Sequence, residues 1–218
     1  MTDGWKDRAR SLFVPLAKTL ARRGVQPDHL TYFGLVLSLL AALLLGRGDL
    51  LTAAFVIGLA GLCDILDGDV ARETGKVTPF GAFLDSTLDR LGEGALYAGL
   101  ANYYYTRTRG GALWIQNEFR AEGQWGGDAD GYTLAVMALA TLILSFLVSY
   151  TRARAEGLGL ECKVGLMERP ERMLTLAGGA LLGHRFMPGV LGILFLLTLV
   201  TVLQRVYHVY RLTHSKSA

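Results

Sequence analysis

Five stretches of this 218-residue chain are apolar and free of Asp, Glu, Lys and Arg: residues 30–46, 50–63, 131–151, 173–183 and 186–203. A helix that crosses a bilayer needs ~20 mostly apolar residues, because hydrocarbon has no partner for an exposed amide or a charged side chain. Runs of this length and density restrict the chain to an all-α integral membrane fold. With 51% of residues apolar and 19% charged, the remainder is short connections and one loop of moderate length, which leaves no room for a separate soluble catalytic domain. Any chemistry has to use residues inside the helices or at their ends.

The runs organise into six transmembrane helices. Ahead of them, residues 5–23 place Trp5, Leu12, Phe13, Leu16 and Leu20 along one stripe, with Lys6, Arg8, Arg10, Lys18, Arg22 and Arg23 over much of the rest. That pattern suits an amphipathic helix lying in the membrane interface. After Gly24 and Pro27 a first span runs to about Gly46, where Gly46-Arg47-Gly48-Asp49 supplies a turn. The second span enters at Leu50 and then meets Asp64, Asp67, Asp69, Arg72 and Glu73; a third begins near Phe80 and runs to about Tyr104. Residues 103–131, rich in Gly and Tyr, read as a loop without assigned chemistry, and Tyr132 to about Tyr150 as the fourth span. A basic connection follows, then two spans separated near residues 184–188. One membrane domain is expected over residues 1–218, with the interfacial helix in 1–24 and the six-helix bundle in 25–212.

Six spans put both termini on one side, and that side collects all but five of the 22 Lys and Arg residues; Arg47, Arg107, Arg109, Arg120 and Arg185 fall opposite. Because short cytoplasmic loops are enriched in Lys and Arg, the expectation is a multi-pass protein of the cell membrane with both termini and the 72–81 and 152–172 connections in the cytoplasm. The N-terminal segment has charges throughout and no continuous apolar core before a cleavage site, unlike a signal peptide. The modest charge of +3 is scattered between apolar runs, so nucleic acid is not expected as a partner. Cys63 and Cys162 are 99 positions apart and read as free thiols, and His29, His184, His208 and His214 form no cluster of zinc-ligand spacing.

The chemistry concentrates in residues 63–90, CDILDGDVARETGKVTPFGAFLDSTLDR. Asp64 and Asp67 are three apart and Asp85 and Asp89 four apart, so each pair shares a helix face, and the connection with Gly75 and Pro79 folds the two helices back on each other. Four facing carboxylates repel strongly at low dielectric unless a cation neutralises them. Hard oxygen ligands without His or Cys favour Mg2+ or Mn2+, and room for two ions suits a phosphoryl displacement. Gly68 and Ala71 keep one helix face low, Gly81 does so on the next helix, and Arg72 stands one turn beyond Gly68 to hold a phosphate oxygen through its planar fork. Asp69 and Glu73 fall outside this pattern and read as solvated.

These residues resemble the CDP-alcohol phosphotransferases, whose signature runs D-x2-D-G-x2-A-R and then G-x3-D-x3-D. Asp64, Asp67, Gly68, Ala71, Arg72, Gly81, Asp85 and Asp89 match every fixed position. The resemblance implies a homodimer with six transmembrane helices and an N-terminal interfacial helix, and an enzyme that moves a phosphoalcohol from a CDP-linked donor to an acceptor hydroxyl and releases CMP. It implies metal-ligand roles for Asp64, Asp67 and Asp85, and for Asp89 both a place in the metal site and the role of general base. Gly68, Ala71, Arg72 and Gly81 are implied as CDP contacts, with Asp67 beside them. Pro27 and Thr31 are similar to a P-x3-T element near the nucleotide, although Asp28 stands where the family usually has Asn.

A second basic group comprises Arg152 and Arg154, Arg169 and Arg172 in ERPER, and Arg205 after a long apolar run. Positive-inside topology accounts for Arg152 and Arg154. An arginine in the position of Arg205 instead faces the protein interior or an aqueous cavity. SYTRARAE and ERPER are similar to segments of the phosphatidylinositol-phosphate synthase branch, which joins CDP-diacylglycerol to inositol 1-phosphate; there the equivalents of Arg152, an ERPER arginine and Arg205 surround the acceptor phosphate, with Lys in place of Arg152. That substitution changes the geometry at constant charge and keeps glycerol 3-phosphate as an alternative acceptor, and another CDP-alcohol donor, carrying an archaeal-type lipid or a polyol, is the further alternative within the class. Divalent-cation transport is an alternative of another class, but it leaves Gly68, Ala71, Arg72 and Gly81 without a role.

Overall fold

The computed structural model describes residues 3–108 and 128–214, with side chains from 13 to 107 and from 131 to 214, and over them the chain is helical with no strand. The helices are α1 (Asp3–Arg22), α2 (Pro27–Arg47), α3 (Leu50–Glu73), α4 (Pro79–Thr108), α5 (Asp128–Glu156), α6 (Arg169–Leu182) and α7 (Met187–His214). Four of them, α2, α3, α5 and α7, are long and apolar enough to cross a membrane, so this is a membrane protein. The other two expected spans differ for separate reasons. α4 has 30 residues but carries Asp85, Asp89, Arg90 and Glu93 in its first half, and α6 has 14, short for a ~30 Å hydrocarbon core at 1.5 Å per residue. The loop expected from Tyr103 begins later, since α4 continues to Thr108; residues 109–127 lie outside the described residues.

Local sequence sets the helix ends. Pro27 opens α2 at the first helical position, where a missing amide hydrogen leaves no carbonyl unpaired. Gly48 ends α2 at φ 85°, and Asp49 then starts α3 by accepting the Thr52 amide at 3.2 Å. Gly48 is required twice over, because a Cβ there would lie 2.8 Å from the Tyr103 ring.

The helices close into a ring. α2 packs on α3 and α4, α4 on α5, α5 on α7, α7 on α6, and α6 returns to α3. α1 lies outside this ring against α3, where Ala17 is buried with Leu66 and Val70. The main core contains Leu45, Leu50, Leu96, Leu100, Leu191 and Leu194. The backbones of α2 and α4 approach closely at Gly99, where a Cβ would sit 2.2 Å from the Ala42 carbonyl oxygen; small residues at such crossings let membrane helices touch. Outside the ring, Leu43, Phe55, Ile143, Leu196 and Leu203 are exposed, a surface suited to lipid.

At the end of the ring remote from Asp64, the α2–α3 turn, the end of α4 and the α6–α7 turn meet through three side chains. The Tyr103 hydroxyl lies 2.7 Å from His184 Nδ1 and accepts a hydrogen bond from Arg107, whose guanidinium stands 5.5 Å from the Tyr103 ring centroid. Burial first, and then the Arg107 charge, lower the His184 pKa from 6.5, so the fold favours the neutral ring. For a histidine lowered in this way the stabilisation is complete above the unfolded value, near 6.5, and declines as pH falls through it towards the lower folded value. The melting-temperature advantage of wild type over His184→Asn is therefore expected to shrink between pH 7.5 and 5.0. A difference that stays constant with pH would rule this linkage out.

Candidate active site

The site lies where the end of α3, the start of α4 and the starts of α2 and α6 converge. Thr74 closes α3 by pointing its amide back at Val70 and Arg72 carbonyls, and Gly75 turns the chain at φ 65°. Thr78 caps α4, its hydroxyl accepting the Gly81 amide at 2.9 Å just ahead of Pro79. The spacing in each helix then turns the aspartates inward.

Asp64, Asp85 and Asp89 each offer a carboxylate oxygen, and these oxygens lie within 4.8 Å of one another. Asp85 Oδ1 is buried without a hydrogen-bond partner among the described residues. An orphaned carboxylate oxygen beside two further carboxylates, with no nitrogen or sulfur donor in the set, fits a hard divalent cation. Asp67 faces the same cavity from one turn along α3 and is buried, with Oδ2 accepting the Thr31 hydroxyl at 2.8 Å. Thr31 therefore lines the site from α2, whereas Pro27 opens that helix and does not line the cavity.

Arg169, at the start of α6, bridges two of the carboxylates. Its Nη1 donates to Asp64 Oδ1 at 2.9 Å, and its Nη2 lies 2.7 Å from Asp89 Oδ1. One guanidinium thus ties α3 and α4 to α6 and joins the candidate metal ligands to the arginine group.

Gly68, Ala71, Arg72 and Gly81, also singled out from sequence, do not line the cavity that Asp64, Asp67, Asp85, Asp89 and Arg169 share. Arg72 pairs with Asp69 one turn back on α3. Asp69 is therefore buried and bonded, which corrects its reading as a solvated residue: the Arg72 guanidinium supplies the charge that allows its burial. A Cβ at Gly68 would meet Arg72 Nη2 at 3.3 Å, so this glycine leaves space for the guanidinium. Gly81 follows the Thr78 cap with a partly exposed position, as does Ala71 on α3.

The four candidate acceptor arginines separate into three environments. Arg169 is at the aspartates. Arg152, 41% exposed, pairs with Glu156 at 2.9 Å and stands 3.7 Å from Glu168. Arg205 also reaches Glu168 at 3.7 Å but is 2% exposed and donates to the Val164 and Val148 carbonyls. Arg172 is 1% exposed and pairs with Glu93. Arg172 and Arg205 thus lie behind the accessible surface, and Arg152 and Arg169 on it.

Sequence reasoning passed over Glu93 and Glu168. Glu93 continues the four-residue spacing of Asp85 and Asp89 along α4, which was a readable signal, whereas nothing in the spacing of Glu168 pointed to its meeting α5 and α7.

A family model described as CDP-alcohol phosphatidyltransferase matches residues 25–204. The chain is 38% identical over 201 residues to the phosphatidylinositol phosphate synthase of Mycobacteroides abscessus, covering 89% of this chain and 82% of that protein. It is 32% identical over 215 residues to the archaetidylinositol phosphate synthase of Methanothermobacter thermautotrophicus, covering 97% and 95% respectively. The crystal structure of the Mycobacterium tuberculosis phosphatidylinositol phosphate synthase with CDP-DAG bound superposes with a TM-score of 0.75 at 31% identity, covering 92% of this chain and 94% of that one. A structure of the same mycobacterial enzyme in complex with manganese and citrate gives a TM-score of 0.73 at 31% identity, over 90% and 88%. Matched over most of its length and carrying the full aspartate signature, the chain belongs to the CDP-alcohol phosphatidyltransferase family and is a membrane-embedded phosphatidyltransferase.

Proposed function

We propose that this enzyme transfers the phosphatidyl group of CDP-diacylglycerol to inositol 1-phosphate and releases CMP. The observation that carries the reading is the Arg169 guanidinium set between Asp64 and Asp89, which brings a phosphate-binding group to the edge of the carboxylate cluster. The names of the relatives support the same acceptor.

In this reading Asp64, Asp67, Asp85 and Asp89 hold Mg2+ or Mn2+, two ions in all. Cations held there would neutralise the carboxylates and would withdraw charge from the donor diphosphate. Pro27, Thr31, Gly68, Ala71, Arg72 and Gly81 line the nucleotide side, and Thr31 also fixes the orientation of Asp67 through its hydroxyl. Asp89 takes the proton of the acceptor hydroxyl as its oxygen bonds to the lipid-bearing phosphorus; the bond from that phosphorus to CMP breaks and CMP leaves. Arg152 and Arg169 receive the acceptor phosphate, with Arg172 and Arg205 behind them. α4 and α6 complete six spans, α1 lies in the interface, the whole chain of 218 residues is one membrane domain, and two copies form a homodimer.

Turnover is tested by CMP release from CDP-diacylglycerol with a panel of inositol 1-phosphate, inositol and glycerol 3-phosphate. Preference for glycerol 3-phosphate would reassign the acceptor, and no CMP with any of them would sink the reading. Asp64→Asn and Asp85→Asn are expected to weaken Mn2+ binding by about tenfold or more, since a charged contact is worth ~1.5–3 kcal/mol. Asp89→Asn should instead keep donor binding while turnover falls by about a hundredfold. Metal titration by electron paramagnetic resonance and single-turnover assays separate the two effects, and full turnover in Asp89→Asn removes it as the base.

Arg152→Ala is expected to raise the inositol 1-phosphate KM by about tenfold and leave the CDP-diacylglycerol KM near wild type. Equal loss with inositol and inositol 1-phosphate would show that Arg152 does not contact the phosphate. The catalytic end is proposed to face the cytoplasm. A cysteine introduced by Lys76→Cys should react with an impermeant thiol reagent only when the cytoplasmic side of sealed vesicles is open to it; labelling from the opposite side alone would invert the topology.

A further inference from the structure

Glu93 lies one turn along α4 from Asp89, and Arg172 lies one turn along α6 from Arg169, so the two helices carry two ion pairs in the same order. The first is at the candidate active site. The second is deeper and closes as a fork, with Arg172 Nε donating to Glu93 Oε1 at 2.6 Å and Nη2 to Oε2 at 2.8 Å, both side chains 1% exposed. The third donor of Arg172, Nη1, reaches the Met167 carbonyl at 2.8 Å. Met167 is in turn held by its amide to the Thr201 hydroxyl of α7 at 3.1 Å. Arg169 is thereby anchored on both sides, two residues after one tether and three before the other.

A buried ion pair adds little net stability over an apolar pair of similar volume, so stability alone does not account for placing two charges here. What the fork supplies is geometry, since a bidentate guanidinium–carboxylate contact fixes both distance and plane. α4 and α6 are not among the closely packed helix pairs of the ring, α6 resting on α3 and α7. Their separation beside the site is spanned by side chains. We propose that Glu93 and Arg172 form a positioning pair that sets Arg169 against Asp64 and Asp89, and so fixes the seat of the acceptor phosphate relative to the base. The acceptor half of this statement rests on the function proposed above; the placement of Arg169 does not.

The test is a cycle of substitutions. Glu93→Leu alone would leave Arg172 buried and unpaired and risks unfolding, so the pair is replaced together as Glu93→Leu/Arg172→Met, which removes one positive and one negative charge and leaves the net charge as it was. Thermal unfolding in detergent establishes that the double variant is folded; if it is not, Glu93→Gln/Arg172→Gln, which keeps hydrogen-bonding groups in place, takes its position in the cycle. Mn2+ affinity is then measured for wild type, the pair variant, Arg169→Gln and the combination. Arg169→Gln frees two carboxylates of their guanidinium and tightens Mn2+ binding. The pair variant is expected to tighten it in the same direction by about threefold or more, and adding Arg169→Gln is expected to change it by less than about twofold further, because both act through one contact. The acceptor kcat/KM of the pair variant should fall by about tenfold with the CDP-diacylglycerol KM unchanged. Wild-type Mn2+ affinity in the folded pair variant, or a shift that multiplies with that of Arg169→Gln, overturns the proposal. A wild-type protein that releases no CMP sinks the functional reading and leaves the metal cycle to decide the positioning role.

Discussion

Carboxylates gathered at the end of an apolar bundle repel each other in a medium that screens weakly, and they stay together only if positive charge is brought to them. Asp64, Asp85 and Asp89 meet under that constraint, and the Arg169 guanidinium lies across two of them. Much of the architecture follows from delivering these groups to one place. The Gly75 turn leads α3 into α4, which face each other across the site without packing closely, the start of α2 supplies Thr31 to Asp67, and α6 begins with the arginine that bridges α3 and α4. The same rule operates away from the cluster, where buried Asp69 pairs with the exposed Arg72, and Glu93 and Arg172 are buried together.

The apolar runs and the aspartate spacing were legible because each depends on a local period. A helix long enough to cross lipid shows itself as a run, and Asp64–Asp67 or Asp85–Asp89 as a shared face, without knowledge of any neighbour. The fates of the arginines were not legible in this way. Arg205 was read as facing the interior or an aqueous cavity, but its partners, Glu168 and two backbone carbonyls, come from the connection before α6 and from α5, where no pattern in its own helix points. Arg172 and Arg169 look alike within ERPER, and only the tertiary fold separates them, one against Glu93 and the other against the aspartates. Partner choice between helices is a property of the ring and leaves no periodic mark on either strand of sequence.

Helix length gave a similar mixture. α2, α3, α5 and α7 announce themselves by composition, while α4 and α6 depart from it where they carry the chemistry: α4 is interrupted by its acids and α6 is short. In α4 the acids that reach the site also lower the hydropathy by which spans are recognised, whereas α6 falls short in length and α3 keeps a long apolar run ahead of its own aspartates.

The order in which the ring closes has a consequence for how the protein is made. α5 and α6 follow one another in the chain but are not closely packed neighbours; α6 inserts between α3 and α7, and α7 closes against α5. Chains emerge N-terminus first, so α3 and α4 with their aspartates are made before Arg169 and Arg172 have been synthesised. During that interval Asp64, Asp89 and Glu93 lack both the guanidinium groups that hold them in the finished ring. A nascent chain halted after α5 would therefore hold Asp64, Asp89 and Glu93 without Arg169 and Arg172, so the ion pairs that tie α6 to α3 and α4 can form only once the last third of the ring is being made.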